Sequence, residues 1–278
     1  MTFLITVAVI GVVVFGIWRF IGSLDSQKKT RIKDSITDVF VQAERKGRFP
    51  RYPAFETEYL HEYPDFKKIE DQYPVIREEC EALLASRKKL VPMASLGGGY
   101  TSGDTHAAQW NTLMFKSGQF IEENCALAPR TAAVLRQIPR VYTAFFSVLE
   151  PHQHIAPHYG YYKGFIRYHM GVVIPRNNED QSCWIRVNAD LADNDADDKT
   201  LIDKGERYYW RNGEGVMLDD TFMHEAANES DEVRVILFLD VARRMPWYLE
   251  LFNRLVLFIV HRDGSVKSIR EAARISDS

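Results

Sequence analysis

Two histidines, His158 and His224, carry the strongest chemical signal in this sequence. His158 lies within residues 150–160 (EPHQHIAPHYG) and His224 within residues 219–225 (DDTFMHE), and apolar, strand-like runs surround both segments. Imidazole is a good ligand for iron, zinc, copper and nickel. If a barrel brings the two rings together, one metal ion can bind both and keep open positions for a cosubstrate and a small gas. That arrangement predicts oxidative chemistry.

The elements that must position these histidines are predicted to be strands. Short β-type runs separated by turn residues begin at residue 141, with no helical pattern between them. They cover residues 141–149, 165–174, 183–187, 207–210, 216–218 and 233–241. A barrel or jelly roll is the natural closure for so many strands, because it protects their edges and leaves a mouth for a ligand. The sequence therefore predicts a mainly β fold.

Helices are expected mostly before this region. A helix should begin near Pro74, where proline is tolerated at a helix start. Its apolar stripe consists of Val75, Ile76, Cys80, Leu83 and Leu84. A stripe at this spacing indicates that one face of the helix packs against the sheet.

Composition places the chain among ordinary globular proteins. The chain has 278 residues, 46% of them hydrophobic, which is enough for one sizeable core. Its net charge of −3 gives no whole-chain attraction to nucleic acid. The three cysteines, Cys80, Cys125 and Cys183, are an odd number without metal-ligand spacing. A disulfide framework is therefore not expected, and a reducing compartment fits best.

The N-terminal segment predicts a membrane anchor. Residues 2–18 carry no charge, and with Phe20 and Ile21 they extend the apolar segment to about 20 residues, roughly 30 Å as a helix. A secretory signal peptide is the competing interpretation, but no basic region precedes the segment and no small-residue cleavage site follows it. Lys28, Lys29 and Arg31 come next, so the positive-inside tendency places the protein body in the cytoplasm. We expect a single-pass membrane protein whose body is cytoplasmic.

This organisation divides the chain into four parts: an anchor at 2–21, a polar juxtamembrane linker at 22–60, a catalytic domain at 61–245 and a C-terminal amphipathic helix and tail at 246–278. The C-terminal part has large apolar residues from Trp247 to Ile259 near Arg244, Arg254 and Arg262. It could lie on a membrane surface. It could equally be a helix packed on the barrel.

Two further motifs do not support the sites they suggest. Gly97-Gly98-Gly99 is not followed by the Gly-Lys-Ser/Thr of a phosphate-binding loop. The acidic run that begins at Asp193 has Asp198 where a calcium loop needs glycine and Lys204 where it needs glutamate. A solvated loop between strands is the better interpretation of residues 176–206.

Five ordered motifs carry a resemblance to a known family: FSVLEP at 146–151, PHYG at 157–160, RYHMG at 167–171, DDTFMHE at 219–225 and RVILFLDV at 234–241. Together they resemble the aspartyl/asparaginyl β-hydroxylase family of Fe(II)/2-oxoglutarate dioxygenases, over roughly residues 110–243. Within that family, the N-terminal anchor and the stretch at 205–216 (GERYYWRNGEGV) look most like the bacterial lipid A 2-hydroxylases.

The resemblance implies a double-stranded β-helix with flanking helices and a role for each matching residue. His158 and His224 would bind Fe(II). Gly160 stands where most such oxygenases have a carboxylate ligand. Water would fill that position, and Asp220 would hold the water as an acceptor. Asp219 is the weaker candidate for this role.

The cosubstrate 2-oxoglutarate would be bound by residues on three of the predicted strands: Ser147, Arg167, His169 and Arg234. A guanidinium fork suits the distal carboxylate, which the family pattern assigns to Arg234. Two plainer interpretations stay open. His169 could be a satisfied core histidine, and Arg234 could pair with an acid at the barrel end.

Other residues near the motifs have plainer roles. His152 and His154 form an HxHx3H pattern with His158, but nearness in sequence does not show that they share one ion, and we interpret them as rim residues. The three tryptophans of the domain, Trp110, Trp184 and Trp210, are expected to be packing residues.

The function that follows from the resemblance is O2-dependent hydroxylation at C2 of a secondary acyl chain of lipid A, at the membrane and without nucleic acid. Two alternatives remain. A peptidyl aspartyl/asparaginyl β-hydroxylase would share all the iron and cosubstrate residues. A noncatalytic cupin-like metal-binding module would keep the barrel without turnover.

Overall fold

The computed structural model describes residues 26–86, 90–97, 108–160, 162–260 and 264–275. Its helices are α1 (Ser26–Arg45), α2 (Lys67–Asp71), α3 (Tyr73–Ala85), α4 (Glu122–Cys125), α5 (Pro129–Leu135), α6 (Leu191–Asp195), α7 (Trp247–Val260) and α8 (Gly264–Ala273). None of these is both long and apolar enough to cross a bilayer. The predicted anchor at 2–21 lies outside the described residues.

The strands are β1 (Val91–Pro92), β2 (Trp110–Ser117), β3 (Gln119–Phe120), β4 (Val141–Leu149), β5 (Gln153–His158), β6 (Phe165–Val173), β7 (Cys183–Asn188), β8 (Glu206–Tyr209), β9 (Gly215–Leu218), β10 (Met223–Asn228) and β11 (Arg234–Ala242). They form two antiparallel sheets. The large sheet has the order β1-β2-β4-β11-β6-β9, with β3 paired to β2, and the small sheet has the order β5-β10-β7-β8.

Successive strands from β4 onward divide between the two sheets in a regular way. Strands β4, β6, β9 and β11 lie in the large sheet, and β5, β7, β8 and β10 lie in the small one. Two sets of four strands, one in each sheet and linked in this order, make a jelly roll, the double-stranded β-helix. The prediction of a mainly β fold of antiparallel sheets with flanking helices is confirmed.

Apolar residues fill two layers, because successive side chains of a strand point to opposite faces. Leu149 and Ile236 of the large sheet pack against Ile155 and Ile185 of the small sheet, inside the barrel. The other face of the large sheet packs against helices, and Ile76, Cys80 and Leu83 of α3 are buried there. The helix predicted at Pro74 therefore covers the sheet as expected.

The segment that we expected to be a linker, 22–60, is folded onto the domain in its described part. Phe40 of α1 is fully buried and packs with Phe49 and with Leu249 of α7. Glu44, one turn further along α1, is also buried. Although α1 is polar overall, these two side chains dock it against the barrel.

Residues 176–206 contain more structure than the predicted solvated loop. Besides β7, which matches the strand predicted at 183–187, they hold α6 and short 3-10 turns. Asp190 caps α6 by accepting hydrogen bonds from the backbone N–H groups of Ala192 and Asp193. The side-chain Oδ1 of Asn194 accepts from the backbone N–H of Met223 at 2.7 Å, next to His224. The acidic run thus organises a turn that supports β10.

Candidate metal and cosubstrate site

The structure brings His158 and His224 together on neighbouring strands of the small sheet. The two residues are register partners, and their ring centroids are 4.2 Å apart. Between this pair and the pair Ala226–Ile155, β5 advances by three residues while β10 advances by two. The extra residue is a β-bulge, which re-aims the side chain that follows it. Without it, His158 would point outward with His154.

Each ring has one nitrogen committed to the backbone. His158 Nδ1 lies 2.8 Å from the carbonyl oxygen of Ala156, and His224 Nδ1 lies 2.8 Å from that of Phe222. A carbonyl only accepts, so Nδ1 carries the proton and Nε2 keeps its lone pair. The His224 Nε2 is buried without a hydrogen-bond partner among the described residues.

Burial also keeps both rings neutral. It lowers the pKa of His158 to about 4 and that of His224 well below its ordinary value. Neutral imidazoles with available Nε2 lone pairs fit a divalent metal such as Fe(II). Within the described residues, no group of three or more His, Cys, Asp or Glu side chains is arranged to hold a metal.

Gly160 and Asp220 explain why no carboxylate stands two residues after His158. A Cβ placed on Gly160 would lie 1.9 Å from Oδ2 of Asp220. The N–H of Gly160 also donates to the backbone oxygen of Asp220 at 2.6 Å. An acidic side chain at 160 cannot fit there unless Asp220 moves. The acidic group beside Gly160 therefore comes from Asp220.

Asp220 is held by Arg167 and sits near a second acid. Arg167 Nη2 lies 2.8 Å from Oδ2 of Asp220, and Arg167 Nε donates to Oδ1 of Asp240 at 3.1 Å. Burial raises the pKa of Asp220 to about 6, against the lowering effect of Arg167. These contacts favour a role for Arg167 in orienting Asp220. Its predicted contact with the cosubstrate stays a prediction.

Arg234 is a buried cation without an acidic partner in the described part of the chain. Only 1% of Arg234 is exposed, and its Nε and Nη1 have no hydrogen-bond partner there. The guanidinium carbon lies 4.6 Å from the ring centre of Trp210. Burial lowers the pKa of Arg234 to about 10, so the group is still charged at neutral pH. The acid that a structural ion pair would require is not found beside Arg234 among the described residues.

His169 and Ser147 lie on the same inner face of the large sheet. Both ring nitrogens of His169 are buried without a hydrogen-bond partner among the described residues, whereas a satisfied core histidine would have partners. Burial lowers the pKa of His169 well below its ordinary value. The Ser147 hydroxyl accepts from Nε1 of Trp110 at 2.8 Å and can still donate its own hydrogen. Together with Arg234, these groups can bind a carboxylate.

His152 and His154 do not join the pair. His152 is exposed, with Nε2 2.9 Å from Oδ1 of Asp231. His154 Nε2 lies 2.8 Å from Oε2 of Glu225. Glu225 is the residue after His224, so the Glu225 side chain points to the outer face of the small sheet. The HxHx3H pattern therefore does not converge on one ion.

Asp219 has a different role from its neighbour Asp220. Its carboxylate is fully buried and accepts hydrogen bonds from Lys163 and Arg243. Arg243 follows the end of β11 and Lys163 precedes β6. Asp219 therefore ties the loop before β10 to two other parts of the fold.

Sequence reasoning missed two residues of the site. Asp240, which contacts Arg167, is an acid within an otherwise apolar run at 235–242. An acid in such a strand could have indicated a residue of the site, because unpaired acids are rarely buried. Trp210 is a packing residue as predicted, but it also lies under Arg234 and 5.9 Å from His169 between ring centres. Trp184, in contrast, packs beneath Arg207 on the outer face.

Known proteins resemble this chain over the region that contains the site. The family model described as aspartyl/asparaginyl beta-hydroxylase matches residues 70–244. An ornithine lipid ester-linked acyl 2-hydroxylase of Rhizobium tropici is 30% identical over 65% of this chain and 58% of its own length. Aspartate beta-hydroxylase domain-containing protein 2 of Xenopus tropicalis is 28% identical over 64% of this chain and 44% of its own length. Human aspartyl/asparaginyl beta-hydroxylase is 26% identical over 66% of this chain and 21% of its own length. The chain thus spans less than two thirds of each of these relatives.

Proposed function

This chain belongs to the aspartyl/asparaginyl β-hydroxylase family, and we propose that it is an Fe(II)- and 2-oxoglutarate-dependent dioxygenase that hydroxylates an acyl chain of a membrane lipid. One observation carries the proposal. Two neutral histidines with available Nε2 atoms share the inside of a barrel with a buried guanidinium that has no acid beside it in the described residues.

The residues of the site form three groups, which would bind the metal, the cosubstrate and a water molecule. His158 and His224 would hold Fe(II), which with bound 2-oxoglutarate supplies the oxidising chemistry. Arg234 binds the distal carboxylate through its guanidinium fork, and Ser147 and His169 contribute further polar contacts. The carboxylate of Asp220 fills the space beside Gly160 and would accept a hydrogen bond from a metal-bound water, and Arg167 orients this carboxylate. The apolar barrel walls exclude bulk water.

The proposed substrate is an ester-linked acyl chain, hydroxylated at C2. The Rhizobium relative is named for 2-hydroxylation of the ester-linked acyl chain of ornithine lipid, which supports a lipid over a peptide. We take a secondary acyl chain of lipid A as the first candidate. An anchor at 2–21 would keep the domain on the cytoplasmic face of the inner membrane, where acyl chains are within reach.

A direct test compares substrates in one assay. The full-length protein is supplied with Fe(II), 2-oxoglutarate, O2 and either lipid A, ornithine lipid or peptides that contain aspartate and asparagine. Succinate release and product mass are measured together. We expect lipid A to stimulate succinate release and to gain one oxygen at C2.

The other outcomes separate the alternatives. Turnover with ornithine lipid alone would keep acyl hydroxylation and replace lipid A as the substrate. Turnover with peptide alone would make the protein a peptidyl hydroxylase, as the name of the human relative describes. A protein that binds iron but consumes no 2-oxoglutarate with any substrate would overturn the enzyme proposal.

A further inference from the structure

One side of α7 is apolar and exposed. Four large apolar side chains lie there, spaced four, four and three residues apart: Trp247, Leu251, Leu255 and Phe258, with 77%, 61%, 37% and 46% of their surface exposed. This spacing places them on one helix face. The opposite side of α7 is buried against the protein, through Leu249, Val256 and Leu257. The helix therefore has a second apolar face, which is exposed.

We propose that this exposed stripe, Trp247 to Phe258, lies in the interfacial region of a lipid bilayer. The character of its ends supports this occupant. Trp247 and the neighbouring half-exposed Tyr248 have the amphipathic rings that are favoured at the headgroup level. Arg244 and Arg254 are exposed beside the stripe and can contact anionic headgroups.

The sequence before α1 points to the same occupant. The uncharged run at 2–18 is followed within ten residues by α1, which starts at Ser26. Helix α1 packs against α7, with the rings of Phe40 and Phe252 5.6 Å apart between centroids. Val39, the residue before Phe40, is also 44% exposed. If the run at 2–18 enters the bilayer, α1 links that run to α7.

The buried side of α7 contacts the loop that follows His158. Nδ2 of Asn253 donates to the backbone oxygen of Gly164 at 2.8 Å, and Oδ1 of Asn253 accepts from the hydroxyl of Tyr162 at 2.5 Å. The membrane-facing helix therefore packs next to one edge of the barrel mouth. If the proposed lipid substrate is correct, this arrangement lets an acyl chain reach the site from the bilayer. The surface contact itself does not depend on that substrate.

Nitroxide spin labels test the contact in the full-length protein. Single cysteines replace Leu251 and Phe258 on the stripe and, as the matched control, the exposed Glu206 on β8. The native Cys80, Cys125 and Cys183 are buried. The labelled proteins are reconstituted into vesicles of phosphatidylethanolamine and phosphatidylglycerol. Collisions of each nitroxide with O2 and with a water-soluble nickel chelate are then measured.

In vesicles we expect the labels at 251 and 258 to collide mainly with O2, which concentrates in the bilayer, and the label at 206 to collide mainly with the nickel chelate. Equal exposure to the chelate at all three sites would overturn the proposal. So would spin–spin coupling between chains at 251, which indicates a second copy on the stripe. Shielding from both reagents in detergent as well as in vesicles would show that residues 1–25 cover it, with the same consequence.

The readout is independent of turnover. A membrane-immersed stripe on a protein that leaves lipid unmodified would contradict the proposed substrate and keep this inference. Lipid hydroxylation by a protein whose stripe stays in water would support the proposed substrate and contradict this inference.

Discussion

Two buried polar clusters lie within the same fold and differ in how their charges are paired. The closed cluster consists of Glu44, Lys163, Asp219 and Arg243. Its Lys163 Nζ lies 2.9 Å from Glu44 and 2.7 Å from Asp219, and Arg243 contacts both acids. The open cluster consists of His169, His224 and Arg234, whose buried nitrogens include five without a partner among the described residues.

The pKa values follow this difference. Burial alone would raise the pKa of Asp219, but Arg243 and Lys163 lower it to about 2. Arg234 is equally buried, and burial lowers its pKa to about 10 because no carboxylate among the described residues offsets the loss of hydration. Buried charges persist when they are paired or when a ligand completes them. The closed cluster therefore serves folding, and the open cluster fits ligand binding.

The largest expected effect is on the open cluster. His224→Ala removes one of the two proposed metal ligands, and turnover should fall by more than the ~10–100-fold typical of residues that only support a ligand. His154→Ala is the matched control, because its ring lies on the outer face of the same sheet. Iron content and 2-oxoglutarate consumption are measured for both. Equal activity of the two variants would remove His224 from the site.

These two histidines also show what sequence reasoning can and cannot reach. The motifs picked out His158 and His224, but β5 and β10, the strands that carry them, were not predicted as strands. Both strands are short and carry polar residues, so they lack the apolar run that marked β4 or β11. The bulge that separates His154 from His158 depends on pairing with a distant strand, which no local pattern records.

The next effect is on the closed cluster. Arg243→Met leaves Asp219 and Glu44 buried with only Lys163 between them, so the free energy of unfolding should fall by about 3–5 kcal/mol. Arg234→Met is the matched control, because it removes a buried cation that leaves no acid unpaired in the described part of the chain. We expect its stability to be unchanged or higher. Urea denaturation of both variants gives the comparison.

If both arginine variants lost the same stability, the distinction between the clusters would fail.

Sequence reasoning gave no indication of this distinction. Glu44 was assigned to a linker and Lys163 had no predicted role, because the cluster joins four segments that are far apart in the chain. Pairings of this kind become visible only when the fold is known.

A smaller effect is expected on cosubstrate affinity. Hydrogen bonds to a charged group contribute about 1.5–3 kcal/mol, so Arg234→Met should raise the KM for 2-oxoglutarate by roughly 10–100-fold. Arg234→Lys keeps the charge but loses the guanidinium fork, so its KM for 2-oxoglutarate should lie between those of the wild type and Arg234→Met. The KM for the lipid should change little. A KM for 2-oxoglutarate that is the same in all three proteins would place the cosubstrate elsewhere.

The smallest effect separates the neighbours Asp219 and Asp220 by pH in the metal-free protein. The pKa of Asp219 is lowered from its ordinary 3.8 to about 2, so its stabilisation is complete above about pH 4 and is lost as the pH falls through 2. Between pH 5 and pH 2 the wild type should lose about 2 kcal/mol of unfolding free energy more than Asp219→Asn.

For Asp220 the change of stability with pH has the opposite sign. Its pKa is raised, so ionisation of this buried acid destabilises the fold as the pH rises from 3.8 through about 6. Asp220→Asn should therefore remove a loss of stability that the wild type shows over that range. Parallel pH profiles for the two asparagine variants would show that the neighbouring acids share one environment, against the contrast between the clusters.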